Sequence, residues 1–176
     1  MRYFKKIIGE RIYLSPMNTD DAEIYVKWLS DYDVTNFLNS HARVLSLNAE
    51  RKWLEENSGG PQFAIVLLEN DTLIGNIGLH NVDQLHRNAE VGLFIGEREN
   101  RGKGYGTEAM HLILDFGFNT LNLHNIMLKC HADNEAGLKS YKKVGFREFG
   151  RRREDCFKGG RYVDTVFMDI LNTEFR

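Results

Sequence analysis

The chain has little of what marks several large classes of protein. Its 176 residues contain two cysteines and two prolines. Cys130 and Cys156 have no CxxC spacing, and the six histidines have no HxxxH or HExxH spacing. Neither a disulfide framework nor a metal site is therefore predicted. Unpaired, reduced thiols are typical of cytoplasmic proteins, and we expect a cytoplasmic location.

Long apolar runs and an excess of basic charge are also missing. No segment approaches the length of a membrane span, and the first residues lack the apolar centre of a signal peptide, so we expect no membrane association. The formal charge of −2 and the pI near 6.3 argue against nucleic acid as a partner. Because no repeat or linker interrupts the chain, residues 1–176 are expected to form a single domain.

What the chain does contain is a mixture of helical and strand patterns. Their order is β-α-α-β-β-β-α-β-α-β-β. The first helix is expected within residues 18–32, and its predicted inner face consists of Ala22, Tyr25, Val26 and Leu29. The second helix is expected to begin at about Ser46, and turns are predicted at 70–71 and 158–161. This order predicts an α/β (α+β) fold in which helices cover both faces of a mixed sheet.

Residues 100–109 read "NRGKGYGTEA", with glycine at 102, 104 and 106. Each glycine costs a helix roughly 1 kcal/mol relative to alanine, so three before a helical pattern need a reason. They form either a flexible loop or a backbone that closely approaches a ligand. The Walker spacing is absent, and the dinucleotide pattern GxGxxG is broken by Thr107. An RxxGxG segment that precedes a helix remains, and it predicts a diphosphate site to which Arg101 and Lys103 add positive charge.

Four segments in order carry a resemblance to a known family. They are the strand "AEVGLFIG" with the RxxGxG loop, the helix "TEAMHLILDFGF", the strand "HNIMLKCHADN" and the segment "EAGLKSYKKVGF". Together they resemble the GNAT superfamily of acetyl-CoA-dependent N-acetyltransferases, over residues 10–172. The chain is most similar to the branch of ribosomal-protein alanine and spermidine N-acetyltransferases. The resemblance implies a mostly antiparallel sheet that is splayed at the cofactor site.

The resemblance assigns contacts with acetyl-CoA to three places. The pyrophosphate is expected on main-chain N–H groups of one loop, which consists of Arg101, Gly102, Lys103, Gly104, Tyr105, Gly106 and Thr107. The pantetheine arm is expected along the strand residues Leu93, Phe94 and Ile95, as an added strand would lie. Asn134 is expected to reach coenzyme A, to cap the following helix, or to do both.

The resemblance also implies catalytic roles. Tyr141 matches the general acid that protonates the leaving thiolate. Glu90 is the expected general base, acting through water, with a structural hydrogen bond as its alternative role. Some relatives carry a glutamate where this chain has Lys129. His131 is expected in the core or beside the cofactor and Cys130 as a buried, inert thiol, so we expect direct transfer in a ternary complex.

The acceptor of the acetyl group is less well defined by the sequence. Specificity is expected from residues 30–46 and from the loop at Gly159-Gly160. Asp31, Asp33, Glu55 and Glu56 offer carboxylates to a cationic amine or are simply solvated. The candidate acceptors are a protein N-terminus, a polyamine, an amino sugar and an aminoglycoside. The alternative function is a non-catalytic acetyl-CoA-binding regulatory protein, and the family resemblance suggests a homodimer formed through the C-terminal hairpin.

Overall fold

The computed structural model describes residues 2–38 and 41–176. The strands of this part of the chain are Ile7–Ile8 (β1), Ile12–Pro16 (β2), Gln62–Leu67 (β3), Leu73–Asp83 (β4), Asn88–Ile95 (β5), Asn125–His131 (β6), Arg147–Lys158 (β7) and Arg161–Leu171 (β8). Its α-helices are Ala22–Leu29 (α1), Tyr32–Thr35 (α2), Leu47–Asn57 (α3), Tyr105–Asp115 (α4) and Glu135–Val144 (α5). A π-helical segment, Phe116–Thr120, follows α4 directly.

The eight strands form one sheet in the order β1-β2-β3-β4-β5-β6-β8-β7. The pairs β1–β2, β2–β3, β3–β4, β6–β8 and β7–β8 are antiparallel, whereas β5 and β6 run parallel. The predicted mixed, mostly antiparallel sheet is therefore confirmed. A doubly wound fold, which needs a parallel sheet, does not describe this chain.

The residues group into two compact units. The first comprises the chain up to Gly78 together with Leu93–Leu112. Its core is rich in aromatic side chains, and Tyr25, Trp28 and Phe94 pack edge to face with ring centroids 5.7 to 6.2 Å apart. Such pairs add to the stabilisation that comes from burying the rings.

The second unit comprises Leu79–Gly92 and Ile113–Arg176. In β6 and β8 buried residues alternate with more exposed ones, which gives the sheet of this unit two different faces. Ile126 and Ile170 belong to the covered face, where they lie close to Gly117 and Gly145 at the ends of helical segments. We call the other face, which includes Asn125, Met127 and Asp169, the open face.

The first helix differs from its prediction. It spans Ala22–Leu29 and is followed by the separate short helix α2, whose N-cap is Asp31. The fully buried side chains of α1 include Trp28, whereas Val26 and Leu29 are only half-buried. Trp28 is buried because its indole lies against Gly96 and donates to the Glu97 carboxylate over 3.0 Å. Both partners lie far along the chain, so the local pattern did not indicate them.

Other local predictions are confirmed. Ser46 caps α3 by accepting a hydrogen bond from Ala49 N over 3.2 Å. In the β7–β8 hairpin Lys158 pairs with Arg161, and Gly159 and Gly160 have φ values of +56° and +78°. Two successive positive φ values are typical of a tight two-residue hairpin turn. No helix within residues 2–38 and 41–176 is long and apolar enough to cross a membrane.

Candidate functional site

Two glycines of the loop have a backbone conformation that favours glycine. Gly102 and Gly104 have φ values of +72° and +87°, in the left-handed region that side chains other than glycine rarely adopt. Gly104 O accepts the hydrogen bond of Glu108 N over 3.0 Å, so α4 starts directly after this glycine. The N–H groups in the first turn of a helix have no acceptor within that helix, and together with the helix dipole they favour an anion.

Arg101 supports the loop through its side chain. Its guanidinium donates to three carbonyl oxygens, those of Asp33 (2.9 Å), Ile95 (3.2 Å) and Gly96 (2.6 Å). The planar fork of donors suits such a role. These hydrogen bonds tie the loop to Asp33 and to the end of β5. Whether Arg101 also adds positive charge for a ligand stays a prediction.

Two residues that the sequence reasoning missed hold the start of α4. The Glu108 carboxylate accepts from the backbone N–H groups of Glu10 and Arg11, both over 2.8 Å, and pairs with the Arg11 guanidinium at 3.0 Å. Arg11 also donates to Lys103 O over 2.9 Å and lies over the Tyr105 ring. The partners are about a hundred positions apart, so no local signal in the sequence could have revealed them.

The three strand residues expected beside the pantetheine arm lie at the end of β5 and are half-buried. Phe94 packs against the aromatic core of the first unit. The Ile95 carbonyl already accepts from Arg101. Cδ1 of Leu93 lies 3.4 Å from the position that a Cβ at residue 106 would occupy. A side chain in place of Gly106 would therefore be in van der Waals contact with Leu93.

The ladder between β5 and β6 covers only part of the two strands. Their ladder joins three residues of each strand and ends at the pair Glu90 and Met127. β6 continues to His131, and over this length it pairs with β8 on its other side. Beyond Met127, β6 therefore has an edge without a β5 ladder, which is the arrangement that the family resemblance implied.

Glu90 stands at this last pair and forms an ion pair. Its Oε2 lies 2.8 Å from Nζ of Lys129. His80 lies close to Gly92, two residues further along β5. Burial lowers the pKa of His80, and the negative charge of Glu90 opposes this shift. The role of Glu90 as general base stays a prediction. The sequence alone did not connect Lys129 to it.

Asn134 caps α5, as one of its two expected roles requires. Its Oδ1 accepts from Gly137 N over 3.0 Å. A Cβ at Gly137 would lie 2.5 Å from Nδ2 of Asn134, so glycine is required for the side chain to fold over the helix. Whether Asn134 also contacts coenzyme A stays a prediction.

Tyr141 lies on the same helix, and its ring packs edge to face against Phe146 with centroids 6.2 Å apart. Burial, and then the neighbouring Cys130, raise the pKa of the Tyr141 phenol. The phenol therefore keeps its proton at neutral pH, which a general acid needs. Burial also raises the pKa of the Cys130 thiol to about 11, as expected for an inert cysteine.

His131 is buried, as expected, and belongs to a charged cluster. Its Nδ1 lies 3.3 Å from Nζ of the buried Lys158. Lys158 pairs with Asp133 at 2.9 Å, and Asp133 also pairs with Arg161 at 3.3 Å. The cluster joins the β7–β8 turn to the segment between β6 and α5. Within residues 2–38 and 41–176, no group of three or more histidine, cysteine or acidic side chains is placed to hold a metal ion.

Two of the four carboxylates expected to attract a cationic amine have partners within their own segments. Asp31 caps α2 by accepting from Asp33 N over 2.8 Å. Glu56 lies 3.8 Å from Lys52 on the surface of α3. Asn39 and Ser40, inside the segment expected to set specificity, lie outside the described residues.

Comparisons with known proteins agree with this architecture. Residues 11–147 match the model of a family described as an acetyltransferase (GNAT) domain. An uncharacterized N-acetyltransferase of Bacillus licheniformis, p20, is 31% identical over 173 residues, which cover 94% of this chain and 96% of that protein. A spermidine N(1)-acetyltransferase of Vibrio cholerae is 33% identical over 128 residues, which cover 73% of this chain and 67% of that protein.

A solved structure has the same fold. It is that of a spermidine N-acetyltransferase from Vibrio cholerae in complex with CoA and spermine. It superposes with a TM-score of 0.85 at 24% identity, covering 93% of this chain and 97% of that one. The predicted family and fold class are both confirmed. The chain therefore belongs to the acetyltransferase (GNAT) domain family and is an N-acetyltransferase.

Proposed function

We propose that this N-acetyltransferase moves the acetyl group of acetyl-CoA to a primary amine by direct attack, with both substrates bound at once. The observation that carries the proposal is the left-handed Gly104 immediately before α4, in a chain that matches the GNAT domain. This conformation bares the backbone at the positive end of a helix, where a pyrophosphate is well stabilised.

The cofactor contacts follow residue by residue. The loop from Arg101 to Thr107 binds the pyrophosphate through main-chain N–H groups, while the Arg101 side chain keeps the loop in shape. The main chain of Leu93–Ile95 binds the pantetheine arm. Asn134 adds a contact from the start of α5. Residues 1–176 act as one catalytic domain, which the match to p20 over 94% of the chain supports.

The chemistry requires two proton transfers. The amine nitrogen attacks the thioester carbonyl carbon, a C–N bond forms, and the C–S bond breaks as the intermediate collapses. Glu90 accepts the proton of the amine through water, and Tyr141 donates a proton to the departing sulfur. Tyr141 suits its task because burial keeps the phenol protonated. Glu90 suits its task by position, since it stands at the last pair of the β5–β6 ladder.

The high pKa of Cys130 argues against an acetylated cysteine as an intermediate. A thiol whose pKa is about 11 is almost entirely protonated near pH 7, and the thiol is a much weaker nucleophile than the thiolate. Direct transfer needs no such intermediate. The acceptor consistent with this chemistry is a protein N-terminal alanine or a small amine such as a polyamine or amino sugar.

Release of free thiol from acetyl-CoA tests the proposal. Thiol release is measured with a panel of candidate acceptors, which contains a peptide that begins with alanine, a polyamine, an amino sugar and an aminoglycoside. Mass spectrometry identifies the acetylated product. We expect thiol release above the amine-free rate with at least one amine, together with that product. Release that no amine accelerates would contradict the proposed function.

A further inference from the structure

We infer that a cavity on the open face is the acceptor site and that Asp169 binds a second cationic group of an acceptor that carries two amines. The inference rests on the proposed function and names the substrate class of its acceptor side. The cavity has a volume of about 480 Å³ and includes Glu90, Met127 and Asp169 in its lining. Its size falls within the range of small-molecule sites.

The strand register places these three residues in one row. Glu90 pairs with Met127 in the β5–β6 ladder, and Met127 pairs with Asp169 in the β6–β8 ladder. Residues directly opposite each other on neighbouring strands project from the same face of a sheet. Neighbouring strands lie about 4.8 Å apart, so the backbones at the two carboxylates are separated by about 10 Å.

The two carboxylates differ in how their charge is balanced. Glu90 has Lys129 at 2.8 Å. Asp169 accepts a hydrogen bond from Nδ2 of Asn125 over 2.8 Å, and in the part of the chain that the structure describes it forms no ion pair. The nearest arginine in register, Arg147, is paired with Glu174 at 2.7 Å. Asp169 is therefore a half-buried carboxylate, oriented by an amide, whose charge a bound cation would balance.

The rest of the lining suits an aliphatic amine. Met127 lies between the two carboxylates and offers an apolar, adaptable surface to a methylene chain. Phe149 stands at the edge of the cavity, 58% exposed, where its ring face attracts an ammonium group. The lining contains no lysine or arginine among the described residues, and His86 is its one further titratable side chain there.

The position of Glu90 assigns the two ends of the acceptor. Glu90 stands where the β5–β6 ladder ends, and the proposed function makes it the base for the reacting amine. The second amine then reaches Asp169, two strands away. A straight-chain diamine satisfies both carboxylates, whereas a monoamine of the same length leaves Asp169 unbalanced.

A series of straight-chain α,ω-diamines, each compared with the monoamine of equal length, tests the inference. We expect kcat/KM to be about tenfold higher for the best diamine than for its monoamine, as one added charge-assisted contact would give. Asp169→Asn keeps the shape and the hydrogen bond from Asn125 but removes the charge. It should abolish the preference by raising KM for the diamine.

The matched control is Glu148→Gln, because Glu148 is a carboxylate of the neighbouring strand β7 that does not line the cavity. It should keep the diamine preference. Calorimetric titration of the diamine into the wild type provides a second readout that needs no turnover. Equal kcat/KM for diamine and monoamine, or a preference that Asp169→Asn keeps, would overturn the inference while leaving the acetyltransferase proposal in place. Diamine binding that depends on Asp169, without thiol release, would instead overturn the proposed function and support the cavity.

Discussion

The glycine loop and the open-face cavity differ in which part of the chain forms them: the backbone in the loop and side chains in the cavity. The loop is defined by its backbone. It contains two left-handed glycines and the start of a helix, and an arginine side chain donates to carbonyl oxygens that hold it. The cavity is lined by side chains, and the register of three neighbouring strands brings Glu90, Met127 and Asp169 together there. We expect the backbone site to bind the group that is common to the reactions of the family, and the side chains of the sheet to vary with the acceptor.

The comparison predicts a division of effects. Substitutions in the loop should weaken acetyl-CoA binding, whereas substitutions of Tyr141 and Asp169 should change turnover or acceptor choice. The variants below test this division and run from the largest expected effect to the smallest.

Tyr141→Phe should lower kcat about 100-fold, because the general acid is lost while the ring that packs on Phe146 remains. The dissociation constant of acetyl-CoA should not change. The matched control is Tyr162→Phe in the exposed hairpin. In the wild type the raised pKa of Tyr141 keeps the acid protonated as pH rises, so kcat should not decline at the ordinary tyrosine pKa of about 10. A Tyr141→Phe enzyme with wild-type kcat would exclude this role.

Asn134→Ala should remove the cap of α5 and lower the free energy of unfolding by about 1 kcal/mol. Asn134→Ser separates this role from a contact with coenzyme A, since serine also caps helices well. We expect Asn134→Ser to retain stability, measured by urea unfolding, and to bind acetyl-CoA more weakly in calorimetry. If both variants bind acetyl-CoA as the wild type does, Asn134 is a cap alone.

Cys130→Ala should have the smallest effect on catalysis. Direct transfer does not use the thiol, so kcat should equal that of the wild type, with a stability loss of about 1 kcal/mol from the small cavity that forms. Mass spectrometry of the wild-type protein after incubation with acetyl-CoA should show no acetylated Cys130. Loss of activity in a folded Cys130→Ala protein would point to an acetyl-enzyme instead.

The difference between local backbone features and long-range side-chain contacts also explains which parts of the structure could be predicted from the sequence. The glycines, the cap at Asn134 and the Gly159-Gly160 turn are local requirements, and each of them could be predicted from a few neighbouring residues. The roles of Arg11, Glu108 and Asp169 depend on partners that are distant in the chain, which no local pattern indicates. The cytoplasmic location and the homodimer remain predictions.

Glu90 combines a position that the sequence could indicate with a contact that it could not. The resemblance to the family predicted a role for this position and a departure from the family pattern at Lys129. It did not indicate that the two side chains form an ion pair at 2.8 Å. Trp28 was missed for the same reason, because its place in the core depends on Gly96 and Glu97.

The most direct test of the central claim is calorimetric titration of acetyl-CoA into the wild type and Gly104→Val. A valine at φ +87° is strained, and its Cβ would lie 3.2 Å from Nη2 of Arg11. The control is Gly59→Val, where the φ is outside the left-handed region and a Cβ meets nothing within 4 Å. We predict binding to the wild type and to Gly59→Val, and at least about tenfold weaker binding to Gly104→Val, as 1–2 kcal/mol of strain implies. Equal affinity in all three proteins, or no binding to the wild type, would contradict a cofactor site on the glycine loop.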